Sequence, residues 1–215
     1  MTVTPFSQAL RERTWSGHDD SAGDTFMRDL MQGNGTRDDY IALVVQHYFI
    51  YEALEHAEAR FTDDPDAARF ISPSLTRLPA LEQDLEFLLG ETWRDQISAV
   101  PTTQRYVDRI REIEAEGWAG GFVAHHYTRY MGDLSGGQAI GRLMQRHFGF
   151  ETNGVGFYLF DQIANPKAFK ETYREQLDAV GWDEAERERV IDEVLLAYRF
   201  NSELFHDLSA AKAAA

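Results

Sequence analysis

The sequence predicts an all-α protein, a single compact domain of about eight helices. Three observations predict it. Apolar residues recur three and four apart in nearly every segment, the period of a helix with one buried face. No run of alternating apolar and polar residues lasts long enough to compete as a strand. Proline, threonine and glycine fall mostly at the ends of these segments, where helices start and stop. The 215 residues are enough for one well-buried core, and no repeat, low-complexity tract or linker divides residues 1–215.

Thr4-Pro5 pairs an N-cap with proline at the first helical position. Phe6, Leu10 and Thr14, spaced four apart, carry that helix to about Ser16, with continuation past Gly17 left open. A short helix through Phe26, Leu30 and Met31 stops at Gly33-Asn34-Gly35. Thr36 caps the apolar run 37–61, about seven turns long, which ends before Asp63-Asp64-Pro65. Residues 78–89 and 102–117 are amphipathic. A glycine-bearing helix follows from near Gly121 to residues 148–150, and two helices over 167–180 and 182–208 complete the chain. Roughly the last six residues are expected to form a flexible tail.

Composition narrows function. There is no cysteine, so disulfides, thiolate metal sites and cysteine nucleophiles are excluded, in keeping with a cytoplasmic location. The start lacks the apolar core of a signal peptide, and no apolar run approaches the roughly 20 residues of a membrane span, so no membrane insertion is expected. The formal charge is −15, from 36 acidic and 21 basic residues, which argues against nucleic acid as a partner. An anion-binding site must therefore come from a local basic cluster. A partner protein with a basic face would meet a favourable field.

The seven histidines, His18, His47, His56, His125, His126, His147 and His206, form no H-E-x-x-H motif. A di-iron bundle needs two Glu-x-x-His pairs, and Glu203 to His206 is the one such spacing found. A lone helical histidine is more often structural than a ligand, so the histidines by themselves assign no metal site.

The stretch RYMGDLSGGQAIGRL, residues 129–143, places Gly132, Gly136, Gly137 and Gly141 inside a helix. Each interior glycine costs roughly 0.5–1 kcal/mol relative to alanine. Close packing of helices, a bend at Gly136-Gly137, or a broad flat ligand lying against bare backbone would each account for them. Arg129 and Asp133, four apart, share a face with Gly132 and Gly136, and Tyr127 and Tyr130 flank the same turn. Lys167, Lys170 and Arg174 form a basic stripe beside Tyr173, and Arg11 precedes His18 by two helical turns.

VAHHYTRYMGDLSGGQ, residues 123–138, closely resembles the distal-helix signature of the heme oxygenases. FMRDLMQGN, YFIYEALE, LEQDLEFLLG, QRYVDRI, FKETYREQL and FNSELF resemble family segments in the family's order, over nearly the whole chain. The resemblance implies heme sandwiched between a proximal helix and a kinked, glycine-rich distal helix. It places His18 as the axial iron ligand and sets Gly132, Gly136 and Gly137 over the heme. Asp133 becomes the distal carboxylate that anchors water, with Tyr51, Arg129 and Asn201 extending the water network. Arg11, Lys170 and Arg174, with the Tyr127 hydroxyl, become the propionate partners, and Tyr198 stands where the family usually has phenylalanine.

The reaction so implied is oxidative cleavage of heme at the α-meso carbon, with dioxygen and an external electron donor, to biliverdin, carbon monoxide and ferrous iron. It would serve heme degradation and iron release in a soluble, bacterial-type monomer supplied by a reductase or ferredoxin. Ala22 departs from the family, which usually has glutamate four residues after the proximal histidine, so the control of that ligand is open. A non-catalytic heme carrier or sensor is the rival with the same ligand. Thiaminase-like and quinone-cofactor enzymes are heme-free rivals on the same fold, which by itself does not decide function.

Overall fold

The computed structural model describes residues 4–22 and 25–214, with side chains given for all of these except 16–22. Nine α-helical segments occur among the described residues: α1 (Phe6–Ala22), α2 (Thr25–Gln32), α3 (Arg37–Phe61), α4 (Leu78–Leu89), α5 (Pro101–Glu116), α6 (Ala119–His126), α7 (Gln138–Phe148), α8 (Pro166–Asp178) and α9 (Glu184–Ala214). Between α6 and α7 the chain stays helical but widens into π-helical turns at Tyr127–Met131 and Asp133–Gly137. Counted as one rod, α6 to α7 brings the total to the eight that the sequence predicts.

Local chemistry accounts for most of the boundaries. The Thr36 hydroxyl accepts the Asp39 amide at 3.1 Å while the Asp39 carboxylate accepts the Thr36 amide at 2.7 Å, a reciprocal cap for α3. Gly117 (φ 65°) and Gly149 (φ 72°) take left-handed conformations that end α5 and α7. The Pro5 carbonyl accepts the Ala9 amide at 3.0 Å, so α1 begins one residue later than Thr4-Pro5 suggests. It then runs unbroken through Gly17 to Ala22. The Phe6, Leu10 and Thr14 stripe is buried, and covering side chains such as Phe6 and Leu10 contributes about 1.5–3 kcal/mol each.

The C-terminal tail differs from expectation. It is helical through Ala214, and the Lys212 ammonium donates to the Asp39 carboxylate at 2.8 Å. One carboxylate thus ties the end of α9 to the start of α3. The two longest helices frame the domain: α9 packs along α1, α2, α5 and α6, and α3 packs on α4, α5 and α6. Since α6 touches both, the glycine-bearing rod leaves the core with its direction already set. No helix among the described residues is long and apolar enough to cross a membrane.

Candidate active site

The glycines of the central rod do three different things. A Cβ placed on Gly132 or Gly136 would meet no described residue within 4 Å. On Gly141 it would come within 2.7 Å of the Tyr158 Cβ, so this glycine admits a close neighbour. Gly137 is intermediate, with Tyr158 Cδ1 and Asp133 Cβ both at 3.4 Å, ordinary contact. The packing explanation therefore holds at Gly141, and open space lies over Gly132 and Gly136. At Gly136-Gly137 the backbone departs from α geometry by π-helical winding.

That open space forms two adjoining cavities that share Gly132, Gly136 and Tyr198. The outer one, about 390 Å³, is walled by Arg11, Thr14 and Trp15 of α1, Tyr127 and Met131 of the rod, and Arg174 of α8. The inner one, about 310 Å³, is walled by Met27, Met31, Leu43, His47, Arg129, Asp133, Tyr158, Asn201 and Phe205, among others. Helix spacing explains the division. The rod presents Gly132 and Gly136 on one stripe, with Tyr127 and Met131 to one side and Arg129 and Asp133 to the other.

At the inner end a buried polar network converges. The Tyr51 hydroxyl donates to Asp133 Oδ2. Arg129 donates from Nε to the Tyr51 hydroxyl at 3.4 Å and from Nη1 to Asn201 Oδ1 at 3.0 Å. Asp133 Oδ1 has no hydrogen-bond partner among the described residues and lies 3.6 Å from where a Gly137 Cβ would stand. Burial raises the Asp133 pKa above the ordinary carboxylate value, while the Arg129 charge, the Tyr51 hydrogen bond and Arg77 pull it back down. Burial also works against the Arg129 charge, but Tyr51 and Asp133 outweigh it and hold the guanidinium ionised. The result is a carboxylate with one oxygen pinned and the other facing the cleft.

At the outer end Arg11 and Arg174 are exposed side chains on facing helices. Burial raises the Tyr127 pKa, and the Arg174 and Arg11 charges oppose that rise. Both guanidiniums therefore act on the one hydroxyl. Lys170 sits differently from the expected stripe. Its ammonium donates to the Ser135 hydroxyl at 3.0 Å and the Leu134 carbonyl at 3.4 Å, fastening α8 to the rod. Lys167 is exposed, faces Glu171 at 3.9 Å and lines neither cavity. His18 lies on the continuous backbone of α1, but its side chain and that of Ala22 are outside the described residues. Among the described residues no cluster of three or more histidine, aspartate or glutamate side chains could hold a metal ion.

Several wall residues are not legible as site residues in the sequence, His47 and Tyr158 among them. His47 carries a signal, since Leu43, His47 and Tyr51 fall at i, i+4 and i+8 on one face of α3. Tyr158 carries none, because the connection after α7 has no periodicity and only tertiary packing brings it to Gly137 and Gly141.

Fold and site together define an all-helical protein with a flat cleft over a side-chain-free helix face, basic at its mouth and carboxylate-lined at its inner end. The heme oxygenase family model matches residues 4–207. The chain is 38% identical over 208 residues to heme oxygenase 1 of Synechocystis sp., covering 97% of this chain and 86% of that one. It is 38% identical over 208 residues to heme oxygenase 1 of Homo sapiens, covering 94% and 71%. The crystal structure of Synechocystis heme oxygenase-1 in complex with heme superposes with a TM-score of 0.91 at 36% identity, over 97% of this chain and 94% of that one. The heme oxygenase of Leptospira interrogans gives 0.86 at 31% identity, over 94% and 98%. The chain belongs to the heme oxygenase family.

Proposed function

We propose that the protein binds heme in this cleft and opens it at the α-meso carbon, consuming dioxygen and reducing equivalents and yielding biliverdin, carbon monoxide and ferrous iron. The observation that carries the proposal is the bare stripe at Gly132 and Gly136, where a Cβ would stand in open space between two cavities. A macrocycle fits such a surface because nothing projects from it. Bound there, heme supplies the iron at which dioxygen is reduced.

The chain's own residues do the rest. His18, on α1, would hold the iron as a neutral imidazole. Arg11, Arg174 and Tyr127 would hold the propionates at the mouth and so orient the macrocycle. Tyr198, at the seam of the two cavities, would line the bound macrocycle. Met27, Met31, Leu43 and Phe205 give the inner cavity an apolar wall. Asp133 accepts a hydrogen bond from water at Oδ1, and Tyr51, Arg129 and Asn201 hold the carboxylate in place. A proton thus reaches the cleft through ordered water and not directly from a strong buried acid.

Lys170 fits a role in holding the distal rod through Ser135, and a propionate would have to compete with that contact. The acidic surface, −15 overall, supports electron delivery by a reductase or ferredoxin that docks through a basic face. The absence of cysteine and the surface charge support a cytoplasmic monomer, and iron release is the role that the proposed reaction would serve.

Purified protein mixed with hemin and reduced in air tests the proposal. Loss of the Soret band with appearance of a verdin pigment is expected. A carrier or sensor would return intact heme, and a heme-free enzyme of the same fold would bind none.

A further inference from the structure

Three histidines are buried among the described residues, and two of them have one ring nitrogen paired and the other buried without a partner. His125 Nε2 pairs with Glu193 and His126 Nδ1 with the Tyr173 hydroxyl, each at 2.9 Å. The third, His47, has no hydrogen-bond partner at either ring nitrogen among the described residues. Its Nδ1 is fully buried, and the 9% of the residue that remains exposed opens on the inner cavity. The ring packs against Phe157 with centroids 4.9 Å apart and stands edge-on to Tyr51 at 6.5 Å. Among the described residues, the charged and titratable groups around it are Tyr51 from its own helix, Arg129 and Asp133 from the rod, Tyr158 from the connection after α7 and Tyr198 from α9.

Burial, and then the Arg129 charge, hold the His47 pKa well below its ordinary value, so the ring is neutral. A neutral imidazole carries one proton. On Nδ1 that proton would be a buried donor with no acceptor, the costlier of the two ways to leave a nitrogen unpaired. On Nε2 it leaves only a lone pair unsatisfied and turns an N–H toward the cavity.

We propose that His47 is a positioning residue of the inner cavity, presenting an Nε2–H donor that anchors water across from Asp133 Oδ1. Tyr51, one turn along α3, pins the far side of that carboxylate. One helix therefore fixes both ends of the site that holds the water. The significance of this anchor for turnover rests on the cleft being a heme site, but the anchor itself does not.

Two measurements test it. In long-range ¹H–¹⁵N spectra of the ligand-free protein, His47 should be the neutral Nε2–H tautomer from about pH 6 to 8, with a cross-peak from that proton to water. An Nδ1–H tautomer, a protonated ring or the lack of a water contact would overturn the proposal. In the heme-loaded ferric protein, His47→Leu should weaken azide binding about three- to tenfold, the span of one neutral hydrogen bond, and His47→Gln should stay within about twofold of wild type. Heme affinity is titrated for each variant so that azide binding is compared at full heme loading. Equal azide affinity in His47→Leu and wild type would make His47 merely part of the wall. If His47→Leu does not fold, His47→Gln and the spectra decide. If the wild type takes up no heme, the proposed function fails while the spectra still test His47.

Discussion

Replacing both Gly132 and Gly136 by alanine should make the ligand-free protein more stable and a worse heme binder. Neither glycine has positive φ, and the Gly132 backbone is right-handed helical at φ −62°, ψ −50°, so alanine adopts it without strain. An added Cβ meets no described residue within 4 Å at either position. The substitutions therefore leave only the helix-propensity gain, about 0.5–1 kcal/mol each. For a domain of this size that sum corresponds to a rise in Tm of roughly 2–8 °C. In the loaded protein the same two methyl groups occupy the cleft where the macrocycle would lie. Overpacking of about 1–3 kcal/mol lowers heme affinity roughly tenfold to a hundredfold. Gly141→Ala is the opposite control: its Cβ would stand 2.7 Å from the Tyr158 Cβ, so it should lower Tm by several degrees. Calorimetry of the ligand-free variants and hemin titration by difference absorbance read both effects. A double variant that melts lower than wild type, or binds heme as tightly, would refute the assignment of the bare face to the ligand.

Asp133→Ala should bind heme within about twofold of wild type while verdin yield per heme falls about a hundredfold. Asp133→Asn should retain more activity than alanine, because an amide still holds water; single-turnover absorbance spectra measure both. Removing Arg11 and Arg174 together should broaden the biliverdin isomer ratio seen by chromatography, since charge-assisted contacts contribute about 1.5–3 kcal/mol each, and Lys170→Ala should change it less. Acid stability has a separate origin. Burial alone would raise the Glu193 pKa, but hydrogen bonds from His125 and from Arg109 at 2.9 Å bring it down to about 2. A depressed carboxylate pKa stabilises the fold above its unfolded value of about 4.3, and that contribution, on the order of 2–3 kcal/mol, is lost as pH falls toward the folded pKa. Glu193→Gln should therefore lower stability at neutral pH and flatten the acid limb in urea unfolding measured across pH.

The sequence by itself determined the helices, because period and caps are local properties. Phe6, Leu10 and Thr14 mark a buried face that neighbours in the chain already define, and the Thr36 and Asp39 cap closes within four residues. It also determined the family and one wall of the cleft, since Arg129, Gly132, Asp133 and Gly136 fall on neighbouring positions of one helix face. Only the tertiary structure decided which glycine serves which purpose. Gly136 and Gly141 look alike in sequence, and Tyr158, from a connection without periodicity, is what fills the space over one and not the other. The same holds for Lys170, whose ammonium finds Ser135 on another element, and for the last turn of α9, held by Asp39 from far along the chain. His47 lies between these cases. Its spacing from Tyr51 is local, but whether its nitrogens find partners depends on every helix that packs around it.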